Sequence, residues 1–121
     1  MEQVAKQFVE FYYASFDSNR NGLSPLYRDN SMLTFEGQQF LGVSNITEKL
    51  VSLPFQRVVH KVTTYDVQPS SANNSTLMVL VTGLLFIDEE KNPQNFSQMF
   101  NLANDNGSWF VQNDVFRLNY A

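Results

Sequence analysis

Leu77-Met78-Val79-Leu80-Val81-Thr82-Gly83-Leu84-Leu85-Phe86-Ile87 is apolar at nearly every position and stops abruptly at Asp88-Glu89-Glu90-Lys91-Asn92-Pro93. A strand with one wet face alternates apolar and polar residues. This run does not, so both of its faces should be buried. Helices can cover one face of a sheet. The other then needs either a second copy of the sheet, as in a homodimer packed sheet to sheet, or the chain's own loops. Gly83 inside the run is expected to allow a bend or bulge that curls the sheet.

The pattern extends in both directions from this strand. From Phe55 to Tyr120 the chain reads as four long strands joined at Pro69 to Ser75, Asp88 to Gln94, and Asn104-Asp105-Asn106-Gly107. Toward the N-terminus the period changes. Val4, Phe8, Phe11, Tyr12 and Phe16 recur at helical spacing against polar Gln3, Lys6, Gln7 and Glu10, which predicts a helix from Glu2 to Phe16. Asp17 to Gly22 reads as a break, and Ser24-Pro25-Leu26-Tyr27 as a short second helix with Pro in its first turn. Met32 to Glu36 and Gln39 to Leu41 flank Gly37-Gln38 as a tight hairpin. Asn45 with Glu48 three residues on resembles a capping box for a helix carrying Ile46, Leu50 and Leu53 on one face and stopped by Pro54. Helices first and long antiparallel strands after place the chain in the α+β class. The expectation is one domain over 1–121, with helices on one face of a strongly bent antiparallel sheet.

Composition narrows function by exclusion. A chain of 121 residues has room for one core and not for two ordinary domains, and 43% apolar content with only 17% charged residues opposes disorder. The net charge of -4, from 12 acids against 8 scattered bases, provides no phosphate-binding stripe, so nucleic acid is not expected as a partner. Without cysteine there is neither a disulfide framework nor thiolate chemistry, and a lone His opposes a nitrogen-ligated metal site. The opening Met1-Glu2-Gln3 lacks a basic region before an apolar run, and no segment reaches the length of a membrane span. The expectation is a soluble intracellular protein with no membrane insertion.

Two strand ends carry acid. Asp88 and Glu90 follow the long run, and Glu36 follows the short strand-like stretch Met32-Leu33-Thr34-Phe35. Convergence of these ends would make an apolar hole with a negative rim, suited to a basic protein surface that carries an aromatic or aliphatic plug. Enzymatic chemistry has less material. His60 shares strand parity with Val58, Val62 and Asp66, and a His with a nearby carboxylate can shuttle protons, but a buried His shaping a core is the commoner use. Phe110, Gln112, Asp114, Phe116 and Leu118 should share one face of the last strand, with Asp114 satisfying backbone donors.

At this point several blocks resemble a known family. Phe8-Val9-Glu10-Phe11-Tyr12-Tyr13 with Phe16-Asp17, Ser31-Met32-Leu33-Thr34-Phe35-Glu36-Gly37-Gln38-Gln39-Phe40, Glu48-Lys49-Leu50-Val51-Ser52-Leu53-Pro54-Phe55-Gln56 and Asn113-Asp114-Val115-Phe116-Arg117-Leu118 are similar to the nuclear transport factor 2 family. The resemblance implies a conical roll, a bent sheet wrapped round a long N-terminal helix and two shorter ones, with an open apolar cavity, assembled as a homodimer. It implies a carrier of Ran in its GDP form through the nuclear pore, working in the cytoplasm and nucleus without cofactor or catalysis. Carried over position by position, the acids meeting basic Ran residues are Glu36, Asp88 and Glu90. The cavity receiving an aromatic from Ran's switch II segment is lined by Phe35, Leu53, Val58, Val115 and Phe116. The family also binds Phe-x-Phe-Gly repeats of nucleoporins in a crevice between subunits, for which Met1 and Pro69 are the matching positions. Met1 stands where the family has an aromatic, and Phe35 where some members have Trp. The same fold also serves as a heterodimerising module in messenger-RNA export factors and as an enzyme scaffold in ketosteroid isomerases and scytalone dehydratase.

Overall fold

Four twelve-residue strands dominate the chain, with two-residue turns only at Glu36-Gly37 and Asn106-Gly107. In a computed structural model describing residues 1–73, 75–89 and 92–119, the strands are β1 (Tyr27–Phe35), β2 (Gln38–Leu41), β3 (Val58–Pro69), β4 (Thr76–Ile87), β5 (Gln94–Asp105) and β6 (Ser108–Asn119). They form one curled sheet in the order β2-β1-β6-β5-β4-β3. The predicted hairpin therefore joins the main sheet. It does so through a parallel pairing, Phe35 opposite Phe116, so the sheet is mixed and not wholly antiparallel. Asn106 and Gly107, at φ 52° and 94°, close the β5–β6 hairpin as left-handed turn residues. Glu36 and Gly37, at 52° and 86°, do the same for β1–β2, one residue earlier than predicted.

Helix α1 (Glu2–Ser18) lies against the inner face and buries Ala5, Phe8, Val9, Tyr12, Tyr13 and Phe16. Phe8 and Tyr12 each meet the Phe100 ring edge-on at 4.8 Å between centroids. A 3-10 helix over Arg20–Leu26 takes up the stretch expected to be a break and a second helix, so Pro25 falls near its end and not in its first turn. Helix α2 (Val43–Val51) is capped by Gly42 at φ 88°, with no side-chain cap. The expected Asn45–Glu48 capping box is absent because Asn45 already lies inside the first turn, where its Nδ2 donates to Leu41 O at 2.9 Å.

The two faces of β4 differ sharply. Leu77, Val79, Val81 and Leu85 are buried on the inner face, whereas Met78, Leu80 and Phe86 on the outer face are 43%, 47% and 36% exposed. Among the described residues, the chain's own loops do not cover that outer face. Gly83 answers a bulge in its neighbour and not one in β4: the register slips in β3 between Val62 and Thr64, and a Cβ on Gly83 would sit 2.3 Å from Lys61 O. A second slip, between β5 and β6, pairs Leu102 with Val111 but Asn101 with Asn113. Gln112 is the extra residue, so Val111 and Asp114 both point inward and the expected single face from Phe110 to Leu118 is broken.

Asp114 is wholly buried, and side chains, not backbone donors, satisfy it. Its Oδ2 accepts from Tyr27 Oη at 2.8 Å and Tyr12 Oη at 3.4 Å, and its Oδ1 from Gln98 Nε2 at 2.8 Å. Tyr13 Oη donates to Gln98 Oε1 at 2.7 Å, so α1, β1, β5 and β6 share one polar network. Burial raises the Asp114 carboxyl from 3.8 to about 6, against the lowering effect of its three donors.

Candidate functional site at one end of the sheet

The register brings the ends of β1, β4 and β6 and the starts of β3 and β5 to the same end of the sheet. Phe35 is level with Phe116, Phe96 with Leu118, and Ile87 with Val58. Glu36 and Asp88 therefore stand just after β1 and β4 at either side of that end, the candidate mouth. Three inter-strand steps separate them, about 14 Å along the sheet and less across its curl.

Between the acids runs a row of rings. Phe35 stacks on Phe116 at 4.8 Å and 8°, Phe116 on Phe96 at 5.7 Å and 20°, and Phe96 meets His60 edge-on at 5.3 Å. Leu53, Val58 and Phe116 are buried, and Phe35 is half-buried. Lys49 Nζ from the last turn of α2 lies 5.5 Å from the centroids of both Phe35 and Phe40, so one cation rests on this aromatic edge.

Both described acids are held in the same way. Glu36 and Asp88 have left-handed backbones, at φ 52° and 51°, uncommon for residues other than glycine and costing about 1 kcal/mol or more. Each carboxylate accepts backbone N–H groups. Asp88 Oδ1 takes Gln56 N at 3.0 Å and Arg57 N at 2.7 Å, and Glu36 Oε1 takes Leu118 N. Asp88 N donates to Arg57 O at 2.7 Å, and Glu36 N to Phe116 O at 3.1 Å. The two carboxylates are thus fixed in direction by the chain's own backbone.

Val115 does not join the cavity residues. It lies on the opposite face of β6 from Phe116, is 37% exposed and pairs with Met99, because adjacent residues of a strand point to opposite faces. Glu90 lies outside the described residues. Met1, at the start of α1, and Pro69, at the end of β3, are both exposed. Asp66 is not the carboxylate beside His60, since the β3 bulge turns it outward. The partner is Asp17 of α1, whose Oδ1 lies 2.6 Å from His60 Nδ1 and whose Oδ2 accepts His60 N at 2.9 Å. With its side chain 2% exposed and packed on Tyr13 and Phe16 at 4.8 Å, His60 is a packing residue of the mouth's floor. Sequence reasoning missed the roles of Asp17, Arg20 and Lys49. Their contacts cross between elements and leave no local period to detect.

A family profile described as the nuclear transport factor 2 domain matches residues 4–118. The chain is 58% identical to nuclear transport factor 2 of Candida glabrata over 118 residues, 98% of this chain and 94% of the relative. To that of Emericella nidulans it is 59% identical over 120 residues, covering 98% and 95%. The solved structure of nuclear transport factor 2 from Cryptosporidium parvum superposes with a TM-score of 0.90 at 49% identity, covering 98% of this chain and 94% of that one. With a profile spanning nearly its whole length, and relatives of this identity bearing a transport carrier's name and not an enzyme's, the chain belongs to the nuclear transport factor 2 family.

Proposed function

We propose that this protein is a nucleocytoplasmic carrier that binds Ran in its GDP form at the acid-flanked mouth and imports it into the nucleus. The observation that carries the reading is the pair of pre-oriented acids, Glu36 and Asp88, on either side of the Phe35–Phe116–Phe96 stack. An aromatic plug of about 150 Å² buried there contributes roughly 4 kcal/mol before association costs, at about 25 cal/mol per Å². The acids then set register and partner choice, since a carboxylate pair facing a like-charged surface is penalised. Glu90 is proposed as a third acid of this rim. Discrimination between nucleotides follows if switch II presents its aromatic only in the GDP conformation, without any phosphate contact from this chain.

The functional unit is a homodimer. Its support is the open outer face of Met78, Leu80, Phe86 and Val115, of the apolar kind that marks association surfaces. Two mouths per dimer follow from two-fold symmetry. Phe-x-Phe-Gly nucleoporin repeats would bind weakly in a crevice between subunits that uses Met1 and Pro69, so that multivalent contacts hold the carrier at the pore without trapping it. The protein would then work in cytoplasm and nucleus and gather at the pore.

Calorimetric titration with Ran loaded with GDP and, separately, with a GTP analogue tests this. Binding of the GDP form alone, near one Ran per chain, is the expected result. A folded sample binding neither form overturns the carrier reading. Sedimentation showing a monomer that pairs only with a different chain would favour the export-factor-like module.

A further inference from the structure

The wall of the mouth between α2 and β3 has no regular structure from Ser52 to Arg57, yet it carries Leu53 and Phe55 and leads into Val58. Its backbone is satisfied from other elements. Arg20 Nη2 donates to Leu53 O at 3.5 Å and to Phe55 O at 3.1 Å from the 3-10 helix. Asp88 Oδ1 accepts Gln56 N and Arg57 N from the end of β4, and Asp17 Oδ2 accepts His60 N just beyond. A carbonyl-gripping cation on one side and an amide-gripping anion on the other hold this loop, through charge-assisted bonds stronger than neutral ones. The left-handed backbone of Asp88 is what aims its carboxylate back at the loop.

Resting on the carrier reading above, we propose that Asp88 and Arg20 are positioning residues that latch the 53–57 loop into the shape that receives the partner. Asp88 divides its labour by oxygen. Two amides fill Oδ1, and the remaining oxygen supplies the charge that the partner meets. Arg20 holds the loop from behind without touching the partner. Rim charge and apolar wall are therefore one unit, and loss of the latch costs affinity even where every apolar side chain remains.

Amide hydrogen exchange on the partner-free protein and titration with Ran-GDP at several salt concentrations separate the two jobs. Asp88→Asn keeps an oxygen for both amides but drops the charge. It should leave exchange at Gln56 and Arg57 as slow as in the parent, weaken binding about tenfold, and flatten its salt dependence. Asp88→Ala should speed exchange at those two amides at least tenfold while core amides such as that of Phe100 stay protected. Arg20→Ala should loosen the same loop and weaken binding about tenfold with the salt dependence unchanged. If that variant does not fold, Arg20→Met, which keeps most of the side-chain volume but has no donor for either carbonyl, gives the same readout. Unchanged exchange at Gln56 and Arg57 in Asp88→Ala overturns the latch. A loosened loop in Arg20→Ala with parental affinity and salt dependence overturns its positioning role. Should the parent protein fail to bind Ran-GDP, the carrier reading falls, while the exchange data decide the latch independently.

Discussion

Leu77 and Leu80 lie three residues apart in one strand and meet opposite fates. Leu77 is buried on the inner face, and Leu80 stands 47% exposed on the other side of the sheet. Both faces of β4 are apolar, but the helices cover only the inner one. The difference teaches that the chain's apolar content exceeds what its own helices can cover, and that the surplus gathers on one sheet face, with Met78, Phe86 and Val115. The acids Glu36 and Asp88 stand at the end of the sheet beyond Ile87, far along β4 from Leu77 and Leu80, so variants at these positions should act independently.

The largest effect should come at the mouth. Glu36→Lys puts a cation before a basic partner surface and should abolish Ran-GDP binding, by more than a hundredfold in titration, while sedimentation stays as in the parent and stability falls only by the lost acceptor for Leu118 N, about 1 kcal/mol. Unaltered binding would show the mouth to be misplaced. On the inner face, Leu77→Ala should cost about 3 kcal/mol in urea denaturation, the usual penalty for emptying a fully buried leucine site.

The polar member of the inner face gives a pH signature. Burial raises Asp114 from 3.8 to about 6, so the group favours the folded state below its unfolded value. That contribution is lost as pH rises through about 6, a fall of up to about 3 kcal/mol between pH 4 and 7. Asp114→Asn should remove this slope, read from denaturation midpoints across that range. An identical slope in the variant would assign it to other groups. The smallest effect belongs to the outer face. In dilute solution Leu80→Ala should cost less than about 1 kcal/mol, while sedimentation equilibrium shows a weakened dimer. A dilute-solution cost equal to that of Leu77→Ala would mean that the chain itself covers Leu80.

Much of this was legible because apolar period is a local property. The long strands and the N-terminal helix lie where alternation and helical spacing predict them, and the β1–β2 turn falls one residue from its predicted place. The errors cluster where an extra residue resets parity. A single bulge residue, Gln112, undid the expected face of β6, and the slip near Thr63 separated Asp66 from His60. Val115 matches a cavity-lining position only through the resemblance, and strand parity turns it to the face opposite Phe116. The parallel pairing of β1 with β6 also left no trace in the pattern, since period reports burial and not direction.

From the sequence alone came the α+β class, a long strand too apolar for one buried face, acids placed at two strand ends, and the resemblance that named the family. These follow from residue types at fixed spacing, which solvent sorts in the same way wherever the chain lies. Tertiary structure alone decided that Glu36 and Asp88 share one end of the sheet, that Asp17 and not Asp66 meets His60, that Asp114 binds tyrosines and not backbone, and that Arg20 and Asp88 grip a loop from opposite sides. Each of those depends on register, bulges and turn geometry, which are settled only when distant strands pair and every buried polar group must find a donor or acceptor.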